Sequence, residues 1–298
     1  MTQKILVIGS HGQLGRDLCT RLPGEVIAAT REHVDLTNPD SFEFLRSTKP
    51  DVVINCAAYN FVDRAETEAD AAFAVNTWGV QRLAQVCRDI DALLVHFSTD
   101  YVFGSDRQRT TPYRENDIPG PLSVYGLSKL SGEYVIQANC PRHLIIRTCG
   151  LYGVWGSGGK GGNFVETMLR LASQDKPIRV VFDQILTPSY TVDVAKNVTD
   201  LLAEKRTGMY HVTNAGQCSW FEFAREIFRL SDLSVDVMPI RSAEFGTAAE
   251  RPAFSVLTNR LSSEGIAAPR PWQEALTAYL TERNQRKESH VNERTGNL

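Results

Sequence analysis

Long apolar runs, paired cysteines, clustered histidines and an excess of basic charge are all missing from this chain. Without an apolar run of about 20 residues, a transmembrane helix is excluded. The N-terminus leads straight into Lys4-Ile5-Leu6-Val7-Ile8-Gly9 without the layout of a signal peptide, which predicts a cytoplasmic protein. The six cysteines, Cys19, Cys56, Cys87, Cys140, Cys149 and Cys218, are scattered and form no Cys-x-x-Cys pair. That distribution predicts reduced, mostly buried thiols rather than disulfides or a zinc site. The six histidines are dispersed as well, so no metal centre is expected. A formal net charge of -3 offers no footprint for nucleic acid.

What is present is the composition of a soluble globular protein. Hydrophobic residues make up 42% and charged residues 22% of 298 positions, enough for one large domain or two smaller ones. Short apolar runs at 4–8, 26–29, 51–58, 92–97 and 143–147 alternate with helical patterns. This rhythm predicts an α/β fold, a doubly wound parallel sheet of Rossmann type, with a smaller mixed α/β substrate-binding lobe. The expected division is a dinucleotide-binding domain over 1–149, to which 186–206 returns, and a substrate lobe over 150–283. Six glycines between Gly153 and Gly162 predict a mobile loop, and the polar stretch 284–298 predicts a disordered tail.

The first strand ends in Gly9-Ser10-His11-Gly12-Gln13-Leu14-Gly15, and a helix follows. Strand, glycine turn and helix together make a cradle for a pyrophosphate, because backbone N–H groups can approach it and the helix dipole favours negative charge. The spacing is G-x-x-G-x-x-G. Thr30 and Arg31 close the second strand, where NAD-binding units carry an acidic residue for the ribose 2′-hydroxyl. A guanidinium there suits a 2′-phosphate, which favours NADPH and leaves NADH as the second option.

Tyr125 and Lys129 lie four residues apart in a helical stretch and therefore on one face. A phenol has an ordinary pKa of about 10, and a neighbouring ammonium favours its ionised form. A hydroxyl at the end of the preceding strand, Ser98 or Thr99, could hold a carbonyl beside that phenol. Such a set transfers protons, although Tyr-x-x-x-Lys alone also occurs in ordinary amphipathic helices.

Taken together, Gly9, Gly12 and Gly15, Thr99, and Tyr125 with Lys129 resemble the extended short-chain dehydrogenase/reductases over about residues 4–282. Finer motifs resemble the dTDP-4-dehydrorhamnose reductase family within that group. These are Ala57-Ala58-Tyr59, Val62-Asp63-Arg64-Ala65-Glu66, Ser98-Thr99-Asp100-Tyr101-Val102-Phe103, Asn163-Phe164-Val165, Asp183-Gln184 with Thr187-Pro188, and Arg251-Pro252. The resemblance implies hydride transfer from NADPH to C4 of a nucleotide-linked 4-keto-6-deoxy sugar. It implies that Tyr125 donates the proton, Lys129 holds the nicotinamide ribose and keeps the phenol acidic, and Thr99 orients the carbonyl. The cofactor site it implies comprises Gly9, His11, Gly12, Gln13, Leu14, Gly15, Arg31, Asp35, Leu36, Cys56, Ala57, Ala58, Tyr59 and Asn76, besides Tyr125 and Lys129. The substrate candidates are Asn60, Val62, Thr99, Asp100, Tyr101, Asn163 and Arg251. For Asp100 the alternative is a turn carboxylate, for Asn163 a helix cap, and for Arg251 a surface charge. A nucleotide-sugar partner is implied, and a homodimer is compatible with the family.

Two other functions share the fold. A nucleotide-sugar epimerase or dehydratase is one; dehydratases carry Asp-Glu after the hydroxyl, whereas Thr99 is followed by Asp100-Tyr101. A non-catalytic NADP-binding regulatory subunit is the other, and the intact Thr99, Tyr125 and Lys129 weigh against it. The chain also departs from the family after Thr148. The reductases place an aromatic residue two positions on, where this chain has Gly150. Trp155 is the expected replacement, and a 4-keto sugar other than, or in addition to, the rhamnose precursor is the expected substrate.

Overall fold

Four short apolar stretches, at 4–8, 52–55, 93–99 and 143–148, are buried on both faces and form the centre of the molecule, as expected where helices cover both sides of a parallel sheet. The computed structural model describes residues 2–156, 162–174 and 176–295. The strands are β1 (Lys4–Ile8), β2 (Glu25–Ala29), β3 (Val52–Asn55), β4 (Leu93–Thr99) and β5 (His143–Thr148), followed by the shorter β6 (Leu151–Tyr152), β7 (Ile178–Val181), β8 (Ile185–Leu186), β9 (Ser189–Tyr190), β10 (Gly208–His211), β11 (Cys218–Ser219) and β12 (Val237–Ile240). The helices are α1 (Gln13–Arg21), α2 (Glu43–Thr48), α3 (Val62–Ala65), α4 (Ala69–Phe73), α5 (Val80–Asp89), α6 (Val124–Asn139), α7 (Phe164–Ala172), α8 (Thr191–Ala203), α9 (Trp220–Leu230), α10 (Ser242–Phe245) and α11 (Trp272–Thr295).

The main sheet runs in the order β10-β5-β4-β3-β1-β2, with every pairing parallel. Strand order therefore reverses between β1 and β3, and the crevice outside their carboxyl ends is where such sheets bind ligands. Ile5, Val7, Leu14, Leu18, Val194, Val198 and Leu201 pack one face beneath α1 and α8. Leu6, Ile8, Val53, Val80, Leu83, Ile136 and Ile145 fill the other face beneath α5 and α6. A third core, built on Tyr152, Tyr190, Phe223, Trp272 and Tyr279, holds the lobe of α7, α9 and α11.

The structure alters two sequence expectations. The stretch Met209-Tyr210-His211, expected in the lobe, pairs with β5 as the sixth strand of the main sheet. The residues from Asn284 to Thr295, expected as a disordered tail, continue α11. Ion pairs of Arg283 with Glu166 and of Arg286 with Glu282 tie that helix to α7 and along its own length, which polarity alone does not reveal. The glycine loop lies largely at 157–161, outside the described residues. Between α4 and α5 the chain makes a π-helical turn over Ala74–Gly79, a distortion that often accompanies functional sites.

The turn after β1 depends on absent side chains. Gly9 has φ +74°, and a Cβ added at Gly15 would stand 2.4 Å from the Gly9 carbonyl oxygen and 2.9 Å from Ser10 Cα. Both neighbours are backbone, so only a shift of the turn could relieve the contact. The Gly15→Ala variant is expected to lose about 1–3 kcal/mol of unfolding free energy. Urea denaturation checks this, and an unchanged midpoint and slope would contradict the close packing described here.

Candidate active site

The site lies where β1, β3 and β4 end. No side chain caps α1, and its first turn carries no acidic residue. The N–H groups of Gln13, Leu14 and Gly15 thus face outward from a positive helix end, as an anion requires. Gln13 donates through Nε2 to the Leu151 carbonyl at 3.2 Å, while its buried Oε1 has no hydrogen-bond partner in the structure. His11 is exposed on the same turn. These groups fit a dinucleotide diphosphate.

Arg31 projects from the end of β2 with its side chain 82% exposed and pairs with Asp35 at 2.9 Å. Burial works against the Asp35 carboxylate, but hydrogen bonds from Thr37 and Arg31 hold it below the usual range. Leu36 is core. Its carbonyl presses so closely on Gly79 that a Cβ there would come within 2.4 Å. Leu36 therefore shapes the site from beneath. Cys56, Ala57, Ala58 and Tyr59 leave the sheet after β3, and Ala57 packs directly against Gly9. Asn76 is buried, and its amide is committed to protein groups. It accepts from Tyr59 N at 2.9 Å and donates to Tyr59 O at 2.9 Å and Ser128 Oγ at 3.0 Å. The expected cofactor contact is thus replaced by a brace between the β3 loop and α6.

Ser123 caps α6 by accepting from Gly126 N, so Tyr125 stands in its first turn and Lys129 in its second. Ser98 donates to Glu133 Oε1 at 2.5 Å and faces away from the crevice, leaving Thr99 as the hydroxyl at the strand end. Thr99 Oγ1 donates to Asp100 Oδ1 at 3.1 Å and accepts from Tyr101 N at 3.2 Å. It also shares a hydrogen bond with the Tyr125 hydroxyl. The structure therefore brings Thr99 and Tyr125 together. Burial pushes the phenol up to about 12, Thr99 opposes the shift, and the Asp100 charge adds to it. Lys129 does not hold this phenol acidic, because burial dominates and the amine is turned to Phe97 O at 2.6 Å and His96 Nε2 at 3.2 Å. The consequence at neutral pH is a protonated phenol.

Three substrate candidates have structural partners. Asp100 is 3% exposed and accepts from Thr99, from Cys149 Sγ at 3.0 Å and from Ser255 Oγ at 2.6 Å, so it orients Thr99 and faces no solvent. Burial raises its pKa against those three donors. Asn163 caps α7 by accepting from Glu166 N, and its amide donates to Gly153 O at 2.9 Å. Arg251 forms a forked pair with Asp63, at 3.1 and 2.8 Å. Arg251, Val62, Phe61, Asp63 and Arg64 line an open cleft of about 420 Å³, and Asn60 directly precedes this lining in the chain. The Tyr101 ring stands edge-on to Tyr125, with centroids 6.0 Å apart.

Trp155 does not fill the place beside Gly150. Its indole donates to Asp17 Oδ1 at 3.1 Å, and its ring lies between the Arg16 and Arg286 guanidiniums. Gly150 has φ +52°, and a Cβ there would meet Leu186 Cδ1 at 3.0 Å and the Trp220 ring at 3.6 Å. Trp220, the first residue of α9, is the aromatic beside this position. Cys149, Ser255, Asn55 and His96 are further members of the site that sequence reasoning missed.

The model of the RmlD substrate binding domain matches residues 3–285. The chain belongs to the dTDP-4-dehydrorhamnose reductase family. It is 42% identical over 285 residues to the spore coat polysaccharide biosynthesis protein SpsK of Bacillus subtilis, covering 94% of this chain and 98% of that one. It is 39% identical to a dTDP-4-dehydrorhamnose reductase of Mycolicibacterium smegmatis, covering 93% of this chain and 84% of that one. A crystal structure of the Bacillus anthracis dTDP-4-dehydrorhamnose reductase in complex with NADP superposes with a TM-score of 0.89 at 36% identity, covering 95% of this chain and all of that one.

Burial lowers the Lys129 pKa from 10.5 to about 8, with Glu133 and Cys56 opposing. Between those values the unfolded chain carries a proton at this amine and the folded chain does not. Stability from this group therefore rises with pH from about 8 to 10.5, by on the order of 2–3 kcal/mol. Urea melts at pH 8 and pH 10 are expected to show this gain in the parent relative to Lys129→Met. Parallel pH profiles would show that burial does not discharge this amine.

Proposed function

We propose that this chain reduces the C4 ketone of a nucleotide-linked 4-keto-6-deoxy sugar, dTDP-4-dehydrorhamnose or a related sugar, with NADPH. The observation that carries this reading is Tyr125 hydrogen-bonded to Thr99 at the carboxyl end of β4, together with the uncapped start of α1 after β1. When bound, NADPH supplies the hydride. The amides opening α1 hold its diphosphate, and Arg31, released from Asp35, answers the 2′-phosphate.

Reduction of a ketone generates an alkoxide that must receive one proton. Tyr125 delivers its phenolic proton, a transfer worth about 10²–10⁴-fold in rate. Its raised pKa suits the reductive direction, since the donor is fully loaded at neutral pH. Thr99, oriented by Asp100, is hydrogen-bonded to the phenol and fixes its hydroxyl. Lys129 provides the amine that binds the nicotinamide ribose.

Two outcomes are expected in assays of NADPH consumption. With dTDP-4-dehydrorhamnose, Tyr125→Phe should lower kcat by about 10²–10⁴-fold while still binding NADPH; turnover equal to the parent would remove Tyr125 from its role. Across a panel of dTDP-linked 4-keto sugars differing in stereochemistry, glycine at position 150 with Trp220 beside it should allow comparable kcat/KM on at least one sugar besides the rhamnose precursor. Sole, efficient use of that precursor would refute the altered pocket.

A further inference from the structure

We propose that Asn55 and His96 are positioning residues that hold Lys129 as a neutral amine until NADPH binds, so that cofactor binding is accompanied by uptake of a proton. The proposal rests on the reading of NADPH as cofactor.

Three buried side chains form one directional sequence of hydrogen bonds. Ala57 N donates to Asn55 Oδ1 at 3.1 Å, which fixes the amide so that Nδ2 faces His96 Nδ1, also at 3.1 Å. An amide nitrogen can only donate, so His96 Nδ1 must accept. A neutral imidazole then carries its proton on Nε2, and that nitrogen lies 3.2 Å from Lys129 Nζ. An ammonium has no lone pair to receive this N–H, whereas a neutral amine has one and keeps two hydrogens, one of which reaches Phe97 O. Turning the Asn55 amide to permit the other tautomer would set its NH₂ against the Ala57 N–H. Only the neutral amine gives every contact a donor and an acceptor. Asn55, His96 and Lys129 are 1%, 0% and 2% exposed, so water cannot repair a mismatch.

The surrounding charges agree. Burial, with Lys129 as neighbour, drives the His96 pKa far down, so the ring does not become a cation. Glu133, one turn along α6, faces Lys129, but its carboxylate is taken up by Arg147 and Ser98. Cys56 after β3 is a thiol whose pKa burial raises. Tyr125, one turn back, is protonated. No anion facing Lys129 is therefore free to hold a charged amine in this position. Protonation adds one proton from solvent to Nζ, makes the contact with His96 Nε2–H repulsive, and frees the amine to turn toward ribose hydroxyls.

The decisive measurement is the tautomer of His96 in the full chain labelled with ¹⁵N-histidine, assigned by loss of its signals in His96→Gln. At pH 8.5 without NADPH, a protonated Nε2 and a bare Nδ1 are expected; a protonated Nδ1 overturns the proposal. The second measurement is calorimetric titration with NADPH in buffers of different ionisation enthalpy. The parent should take up close to one proton at pH 9 and several-fold less at pH 7. His96→Gln, whose side-chain oxygen can accept from an ammonium, should lose most of the uptake at pH 9. Tight binding without uptake refutes the proposal. Absence of NADPH binding would instead refute the cofactor reading, and the tautomer would still decide the state of Lys129.

Discussion

Everything in the crevice is referenced to a buried carboxylate, that of Glu133. It accepts from Ser98 Oγ on β4 and from Arg147 on β5, at 2.9 Å through Nε and 2.6 Å through the terminal nitrogen. Both charged partners are almost fully buried, so the pair costs desolvation, and its geometry has to be satisfied throughout. Its benefit is register. The helix that carries Tyr125 and Lys129 cannot slide or rotate on the two strands beneath it without leaving a buried ion unpaired. Asn76, bonded to Ser128 and to the Tyr59 backbone, fixes the same helix from the other side.

The glycine turn solves a different problem, the approach of backbone to ligand. Gly9 and Gly15 allow β1 to hand over to α1 within so small a space that the helix N-terminus opens beside the end of β3. The positive end of α1 and the hydroxyls at the end of β4 then lie on either side of the point where strand order reverses. The two halves of the chemistry, anion binding and proton donation, meet because of topology rather than proximity in sequence.

Much of this was legible in the sequence. Buried parallel strands read as continuous apolar runs, and β1, β3, β4 and β5 do so clearly; the helix start at Asn163 follows from capping chemistry. Lost to sequence reading were pairings between distant segments. β10 joins the main sheet through β5, and nothing local in Met209-Tyr210-His211 announces that. Asp100 and Arg251 carried the residue types of ligand contacts, yet their partners at Ser255 and Asp63 lie far along the chain. One signal was available and unused. His96 and Ser98 alternate within an otherwise apolar strand, while Lys129 and Glu133 stand one turn apart on the next helix. Polar positions of matching spacing on two buried elements point to each other.

The carboxylate of Asp100 joins three neutral donors from separate parts of the chain: Thr99 beside it, Cys149 just past β5, and Ser255, whose backbone N–H bonds to Ile185 O. The segment at Ser255 is thereby tethered through the Asp100 carboxylate to the Thr99 hydroxyl. This bears on chimeras built within the family. Exchanging the lobe alone would separate the carboxylate from its donors, so positions 149 and 253–255 have to travel with residues 99–100 as one transferable unit.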